Sequence, residues 1–165
     1  MEIIRILVSS DNNYLPVLGV MLHSLITARQ STTPLEIKLL CKVKTLDSQV
    51  MYKLENQLQQ YANVSLHLVD VSQHYNMPML HLGDGYVPAA YFRLLAAELL
   101  PELEKAIYLD CDLIIMGDIA ELYDIDIKNH LVAAAKDTTM MGRTSSPVNN
   151  VSGYFDYLGI VNKPG

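Results

Sequence analysis

The sequence has few cationic residues and no cluster of them. Lysine and arginine together number 12, against 18 aspartates and glutamates, which gives a formal net charge of −6. Binding to a nucleic-acid backbone requires a positively charged face, so this composition argues against a nucleic-acid partner. A negatively charged protein that handles a phosphorylated ligand needs a local cation, which is either a basic side chain or a metal ion.

Cysteine is also scarce, and long apolar runs are missing. The two cysteines, Cys41 and Cys111, lie in apolar segments without the spacing of zinc ligands, so we expect buried free thiols in a reducing compartment. The apolar run at the N-terminus is too short for a signal-peptide core. No stretch approaches the roughly 20 apolar residues that span a bilayer. We therefore expect a cytoplasmic location, and a peripheral contact with the inner face of a membrane stays open.

Apolar runs of strand length alternate with longer segments of helical period. This alternation predicts an α/β fold with a mostly parallel sheet and helices on both faces. No repeat or linker divides the chain, so one domain is predicted over residues 1–165. Residues 138–150, rich in Thr, Ser, Asn, Gly and Pro, predict a flexible loop. Strands are predicted at residues 3–8, 36–41, 64–69, 105–109 and 131–135, and helices at 14–29, after a cap at Thr45, and at 89–100.

Two aspartates interrupt the fourth predicted strand. Asp110 and Asp112 follow an apolar run that ends at Leu109. In an extended chain, residues two apart point to the same side, so the two carboxylates are predicted to face one space. Carboxylates this close repel each other, and a divalent cation is the simplest compensation. Oxygen ligands favour Mg²⁺ or Mn²⁺, completed by substrate phosphates. The alternative is a pair of solvated aspartates at a strand end.

The loop after the first strand carries a second group of polar residues. Ligands of open α/β sheets bind beyond the carboxyl ends of the strands, where Ser9, Asp11 and Asn13 lie. An aspartate and an asparagine there can read a base or a ribose hydroxyl, and the ring of Tyr14 can stack on a base. The alternative is that these residues only cap the following helix.

Arg93 lies on an apolar helical segment, between Phe92 and Leu94. An arginine in such surroundings is usually paired. Asp110 or Asp112 is the expected partner, and the alternative is a side chain that extends to solvent.

Taken together, these residues resemble glycosyltransferase family 8, which includes glycogenin and bacterial lipopolysaccharide galactosyl- and glucosyltransferases. The resemblance extends from Ile3 to about Ile160 and rests on four motifs in the family's order. The motifs are VSSDNNY at residues 8–14, AYFRL at 90–94, LPELEKAIYLDCD at 100–112 and GDIAELY at 117–123.

The resemblance implies a GT-A fold, a Rossmann-like sheet that binds a UDP-sugar with a divalent metal, Mn²⁺ or Mg²⁺. It also implies transfer of a hexose, glucose or galactose, to a saccharide or glycolipid acceptor with retention at the anomeric carbon. By motif position, Arg93 looks like the donor-site arginine, and Asp110 and Asp112 look like metal ligands, with Asp112 the more direct. Asp137 resembles a family position near the transferred sugar. The residues that look like uridine contacts are Ser9, Asp11, Asn13 and Tyr14.

The sequence departs from the family pattern in two places. Family members carry Tyr-Phe-Asn followed by a small residue and Gly, whereas this sequence has Asp156 in place of the Asn and Gly159 one position late. The sugar contact of that Asn is therefore not carried over. The chain also ends before the region in which the family supplies a third metal ligand and much of the acceptor site. We expect a C-terminally truncated domain.

Two other functions stay open on the sequence alone. One is a nucleotide-sugar-binding domain that is catalytically incomplete. The other is a phosphatase of the haloacid dehalogenase type, because the segment from Tyr108 to Asp112 also resembles the nucleophile strand of that family. In that family the aspartates lie on an early strand and further motifs follow, whereas Asp110 lies late in this chain.

Overall fold

The computed structural model describes residues 2–74 and 88–135 of the chain. By internal contacts the chain divides into two compact units, Met1–Ile125 and Asp126–Gly165. The sheet and the α-helices of the described residues all belong to the first unit. Among these helices none combines the length and apolar character that crossing a membrane requires.

The sheet has four strands in the order β3-β2-β1-β4, and all of its pairings are parallel. The strands are β1 (Ile4–Ser9), β2 (Leu35–Cys41), β3 (Val64–Asp70) and β4 (Ile107–Tyr108). The first four predicted strands are therefore confirmed, with small shifts at their ends. The fourth is shorter than predicted because only two of its residues pair with β1.

Helical segments cover both faces of this sheet. On one face, α1 (Leu15–Ala28) and α2 (Ser48–Gln59) share a core cluster with alternate residues of β1 and β2, including Leu39. On the other face, the 3-10 helix Pro88–Leu95 packs with Leu40 in a second cluster. Neighbouring strand residues point to opposite faces, which explains why Leu39 and Leu40 belong to different clusters. The predicted α/β architecture is confirmed.

The second helix begins later than its predicted cap. Thr45 ends a short 3-10 turn, and its hydroxyl donates to a carbonyl oxygen within that turn. The residue that caps α2 is Asp47, whose Oδ1 accepts hydrogen bonds from the backbone N–H groups of Gln49 at 2.8 Å and Val50 at 3.1 Å. An aspartate is a better cap than a threonine, and its negative charge interacts favourably with the positive end of the helix dipole. The prediction of a cap at Thr45 was therefore wrong.

The region from residue 89 to residue 100 is helical, as predicted, but mostly of the 3-10 type. Only its end, α3 (Ala96–Leu99), is α-helical, and the chain leaves it at Leu100. Pro101 follows directly. A proline disfavours the α conformation of the residue before it, which agrees with the end of the helix at this point.

The fifth strand, predicted at residues 131–135, is not formed. These residues pair with no strand in the part of the chain that the structure describes. Leu131 and Val132 are largely exposed. A strand requires a hydrogen-bonded neighbour, and the composition that favours strands does not supply one. The prediction was wrong because it rested on composition alone.

Both cysteines are buried and free, as predicted. Burial raises the pKa of the Cys41 thiol to about 12 and that of the Cys111 thiol to about 11. The thiols are protonated at neutral pH and behave as small core residues, since the thiolate is the reactive form.

The order of the strands reverses between β1 and β4, which are neighbours in the sheet. The chain passes from β1 to β2 on one side and, after β3, returns to β4 on the other side. Open α/β sheets bind ligands at such a reversal, beyond the carboxyl ends of the strands. Leu7 of β1 is in register with Tyr108 of β4, so the segments that follow the two strands emerge side by side. These segments contain most of the predicted site residues.

Candidate functional site

Side chains join the ends of β1 and β4 beyond their short ladder. The hydroxyl oxygens of Ser9 and Tyr108 lie 2.6 Å apart in a hydrogen bond. The Cys111 thiol donates to the Ser9 carbonyl oxygen at 3.1 Å, and the Leu109 N–H donates to the Leu7 carbonyl oxygen at 2.9 Å. Ser9 is only 7% exposed, so its hydroxyl is engaged within the protein. These bonds fix the point at which the chain turns into the aspartate pair.

Arg93 pairs with Asp110, one of its two predicted partners. Its Nη2 donates to Asp110 Oδ1 at 2.7 Å, and its Nε donates to the Ala90 carbonyl oxygen at 2.7 Å. The guanidinium carbon lies 4.3 Å from the centroid of the Tyr108 ring. The two charged side chains are 38% and 50% exposed, so water screens the pair and its contribution to stability is about 1 kcal/mol or less. The pair serves to place the two charges beside the end of β4.

Asp112 lies on the solvent side of the chain, two residues after Asp110. The prediction assumed an extended strand here, but β4 ends at Tyr108 and residues 111–112 form a turn. Cys111 is buried, while Asp110 and Asp112 are exposed. The separation of the thiol from the carboxylates thus comes from the turn. Within residues 2–74 and 88–135, no side chain or N–H group donates a hydrogen bond to the Asp112 carboxylate.

Asp11 holds the turn that leads from β1 into α1. Its Oδ1 accepts hydrogen bonds from the N–H groups of Asn13 at 3.0 Å and Tyr14 at 3.1 Å. Its carbonyl oxygen accepts from the Leu15 N–H at 3.2 Å. Asp11 therefore stabilises the turn before α1, whose own cap residue, Tyr14, makes no side-chain cap bond. No donor to its Oδ2 occurs among the described residues, so this oxygen remains open to a ligand.

Asn12, which the sequence reasoning passed over, anchors the same loop from the other side. Its Oδ1 accepts a hydrogen bond from the Asp47 N–H at 2.6 Å, which ties the loop to the start of α2. Asn13 and Tyr14 are exposed, and the Tyr14 side chain is 41% accessible. Asp11 and Asn12 therefore hold the loop, and Asn13 and Tyr14 are exposed to solvent next to the end of β1.

Asp118 is a second structural residue that the sequence reasoning missed. Its Oδ1 accepts from the Ala120 N–H at 3.0 Å and thereby caps α4 (Ile119–Tyr123). Its Oδ2 accepts from the N–H groups of Gln30 at 3.0 Å and Ser31 at 2.7 Å. These three hydrogen bonds hold the pKa of Asp118 below its ordinary value, and the bond from the Ala120 N–H has the largest effect. The signal was available, because an aspartate followed three residues later by Glu121 matches a helix-start pattern.

The described residues supply two metal ligands at most. In the ranges 2–74 and 88–135, no group of three or more His, Cys, Asp or Glu side chains is arranged to hold a metal ion. Asp110 and Asp112 are exposed carboxylates, and oxygen donors of this kind suit Mg²⁺ or Mn²⁺, which usually retain waters and take up substrate phosphate oxygens. The residues thus fit a cation shared with a diphosphate rather than one held by protein alone.

Three predicted features lie outside the described residues. They are Asp137, the loop at residues 138–150 and Asp156.

Comparisons with known proteins cover most of this chain. The family model described as Glycosyl transferase family 8 matches residues 5–157. General stress protein A of Bacillus subtilis (strain 168) is 30% identical over 139 residues, which are 82% of this chain and 47% of that protein. A putative glycosyltransferase of Haemophilus influenzae is 30% identical over 138 residues, 83% of this chain and 40% of that protein. The chain thus spans about half, or less, of the length of these curated relatives.

Solved structures of glycosyltransferases share the fold. The apo structure of the bifunctional glycosyltransferase WbbM has a TM-score of 0.71 and 27% identity, and covers 84% of this chain and 24% of its own. The galactosyltransferase LgtC, solved with donor and acceptor sugar analogs, has a TM-score of 0.73 and 20% identity over 96% of this chain and 52% of its own. The predicted GT-A fold is confirmed. Since the family model also matches most of the sequence, the chain belongs to glycosyltransferase family 8.

Proposed function

We propose that this chain binds a UDP-sugar together with Mn²⁺ or Mg²⁺ and forms the donor site of a retaining hexosyltransferase. The observation that carries the proposal is the grouping of Arg93, Asp110 and Asp112 just beyond β4, beside the loop that follows β1. Family membership supports sugar transfer as the reaction. The LgtC structure, which holds donor and acceptor sugar analogs, supports a saccharide or glycolipid as the acceptor.

The charges at this site suit a diphosphate only if a cation is added. The chain carries a net charge of −6, and Asp110 and Asp112 add local negative charge where the diphosphate would lie. Arg93 provides one positive charge and is already partly neutralised by Asp110. A divalent ion held by the two carboxylates would supply the rest. When bound, such an ion stabilises the negative charge that develops on the leaving diphosphate.

The chain's own residues bind and orient the donor. The planar guanidinium of Arg93 can donate two parallel hydrogen bonds to a phosphate or to neighbouring sugar hydroxyls. The exposed ring of Tyr14 can stack on uracil, and the Asn13 amide can offer a donor and an acceptor to the base or the ribose. The open Oδ2 of Asp11 can accept from uracil or a ribose hydroxyl. We further propose, from the family resemblance, that Ser9 lines the uridine site and that Asp137 contacts the transferred sugar.

Two alternatives differ from this proposal in what they predict. A haloacid dehalogenase-type phosphatase would form a phosphoaspartate at Asp110, and the match to family 8 over residues 5–157 argues against it. A catalytically incomplete domain would bind the nucleotide without turnover. A cytoplasmic location, in contact with the inner face of a membrane that carries glycolipid or lipopolysaccharide precursors, belongs to the same proposal.

Calorimetry of UDP binding tests the metal site. We expect binding in Mn²⁺ to be stronger by at least about tenfold than binding after chelation, because without the cation the carboxylates repel the diphosphate. Asp112→Asn should remove most of this difference and leave the melting temperature unchanged, since Asp112 makes no hydrogen bond within the described residues. Glu104→Gln is the matched control, because Glu104 is an exposed carboxylate on the segment before β4. Equal affinity with and without metal would refute the metal site.

Turnover distinguishes an enzyme from an incomplete domain. Transfer or hydrolysis of UDP-glucose or UDP-galactose by this chain would establish catalysis. Metal-dependent binding without any release of UDP from the sugar would instead support the incomplete domain. A phosphate group trapped on Asp110 would contradict both and favour the phosphatase.

A further inference from the structure

Tyr108, the last residue of β4, contacts both sides of the candidate site. Its hydroxyl shares the 2.6 Å hydrogen bond with the hydroxyl of Ser9, at the end of β1. Its ring lies beneath the guanidinium of Arg93, at 4.3 Å from the guanidinium carbon to the ring centroid. Tyr108 thus connects the end of β1 to an arginine that belongs to the 3-10 helix Pro88–Leu95.

The three contacts of Arg93 differ in what happens to them when a donor binds. The bond from Nε to the Ala90 carbonyl oxygen is local to the 3-10 helix and fixes only the base of the guanidinium. The bond to Asp110 is exposed and weak, and a cation at Asp110 would compete for the same carboxylate. The face of the Tyr108 ring binds neither cation nor phosphate in the proposed site. It is therefore the contact that can persist while Asp110 changes partner.

We propose that Tyr108 is a positioning residue of the donor site, which holds the guanidinium of Arg93 over its ring while Asp110 turns from Arg93 to the ligand. The inference rests on the proposed function, because it takes Arg93 as a donor contact. Stacking on a ring suits arginine in particular, since the guanidinium is planar and weakly hydrated. Lysine at this position would keep the charge and lose the stacking.

The same geometry gives Ser9 a role in positioning. Its hydroxyl is buried and bonded to Tyr108, and the bond fixes the tilt of the ring on which Arg93 lies. Ser9→Ala and Tyr108→Phe remove the same bond from its two ends. The double variant should therefore weaken UDP binding no more than either single variant does, whereas separate roles would give losses that multiply.

Substitution of Tyr108 tests the ring itself. We expect Tyr108→Leu to weaken UDP binding in Mn²⁺ by about 2- to 30-fold, the range given by a cation–π contact of about 0.5–2 kcal/mol. Tyr108→Phe should restore most of the affinity because it keeps the ring. The matched control is Tyr123→Leu. Tyr123 is a more deeply buried tyrosine whose ring lies 4.9 Å from Lys105 Nζ, away from the aspartate pair. It should lower stability without changing UDP affinity, and equal losses at both tyrosines would overturn the inference.

A double-variant cycle shows whether Tyr108 acts through Arg93. Arg93→Lys should weaken UDP binding less in Tyr108→Leu than in the wild-type background, because the stacked contact is already lost there and only the paired hydrogen bonds of the guanidinium remain to be lost. Losses that multiply would show that the two residues act independently and would overturn the inference. If Tyr108→Leu fails to fold, Tyr108→Met replaces the ring with a flexible side chain that fills similar space.

An NMR measurement on the unliganded chain separates this inference from the proposed function. The Arg93 Nε–H, bonded to the Ala90 carbonyl oxygen, should give a slowly exchanging signal shifted by the ring current of Tyr108. We expect the shift in wild type and Tyr108→Phe, and its loss in Tyr108→Leu. An unchanged signal in Tyr108→Leu would refute the positioning of Arg93. A wild-type chain that shows the shift but binds no UDP would refute the proposed function and leave the positioning of Arg93 intact.

Discussion

Replacing Asp118 by alanine removes three hydrogen bonds from backbone N–H groups at once. One of them caps α4, and the other two hold the residues that follow α1, Gln30 and Ser31. Loss of an aspartate cap costs about 1 kcal/mol. A bond to a charged acceptor contributes about 1.5–3 kcal/mol, but water can replace much of it at this partly exposed position. We therefore expect a total loss of about 2–4 kcal/mol in the free energy of unfolding.

This loss is large relative to the whole stability of a domain, which is about 5–15 kcal/mol. For a chain of this size, it corresponds to a decrease of about 5–15 °C in melting temperature. One further variant divides the effect. Asp118→Ser should retain the cap on α4 but not reach Gln30 and Ser31, so its melting temperature should lie between those of wild type and Asp118→Ala.

Asp124→Asn is the matched control, because Asp124 is an exposed aspartate at the other end of the same helix. A carboxylate at a helix C-terminus is slightly unfavourable, so this variant should be neutral or slightly more stable. Thermal unfolding followed by circular dichroism measures all three variants. A melting temperature of Asp118→Ala within about 2 °C of the control would refute the reasoning, because it would show that water replaces all three bonds.

The pH dependence of the same variants gives an independent test. The pKa of Asp118 is below its ordinary value in the folded chain, chiefly because of the Ala120 N–H. Its carboxylate therefore stabilises the fold above the pKa of the unfolded chain, which is about 4, and this contribution is lost as the pH falls through the lower, folded value. The difference in stability between wild type and Asp118→Ala should be full at pH 7 and should shrink at acid pH below about 4. A difference that grows on acidification would contradict the assignment.

Two further predictions follow from the site and the core. Mn²⁺ alone should bind weakly, because no group of three or more metal-binding side chains occurs among the described residues. UDP should strengthen Mn²⁺ binding by the factor by which Mn²⁺ strengthens UDP binding. Calorimetry in which saturating UDP left the affinity for Mn²⁺ unchanged would contradict a shared cation. Burial raises the pKa of the Cys41 thiol to about 12 and that of the Cys111 thiol to about 11. Both thiols should therefore react with a thiol reagent at neutral pH only after unfolding. Rapid labelling of the native chain would contradict their burial.

Elements that bury apolar residues were predictable from the sequence, and those that depend on a distant partner were not. The strands β1 and β2 form one continuous core with α1, against which β3 packs only the partly buried Val64 and Leu66. The apolar patterns of β1, β2 and α1 therefore directly reflect burial. The segment at residues 131–135 has a similar composition but no strand neighbour within the described residues. Thr45 and Asp47 are both acceptable caps, and only the local turn decided between them.

The sequence predicted the candidate site only in part, again because some of its contacts join segments that are distant in the chain. The pairing of Arg93 with Asp110 was foreseeable, because a charge on an apolar helical segment requires a partner. The bond between Ser9 and Tyr108 joins residues 99 positions apart, and it exists only because β1 and β4 are neighbours in the sheet. No local pattern in either segment indicates that order. The bonds from Asn13 and Tyr14 to Asp11 were equally hidden, since a turn and a ligand site favour the same residue type.

The hydrogen bonds that Asp110 and Asp112 already make within the protein indicate how the two carboxylates would differ as metal ligands. Asp110 must weaken its bond to Arg93 before it can bind a cation with the same oxygen, whereas Asp112 gives up no hydrogen bond within the described residues. Recruiting Asp112 is therefore the less costly step, and we expect it to be the principal metal ligand. Asp110 would exchange between arginine and ligand, so that the loss of Asp112 weakens metal-dependent binding while the loss of Asp110 also frees Arg93. Only in the second case should the environment of the Arg93 guanidinium change before any nucleotide is added.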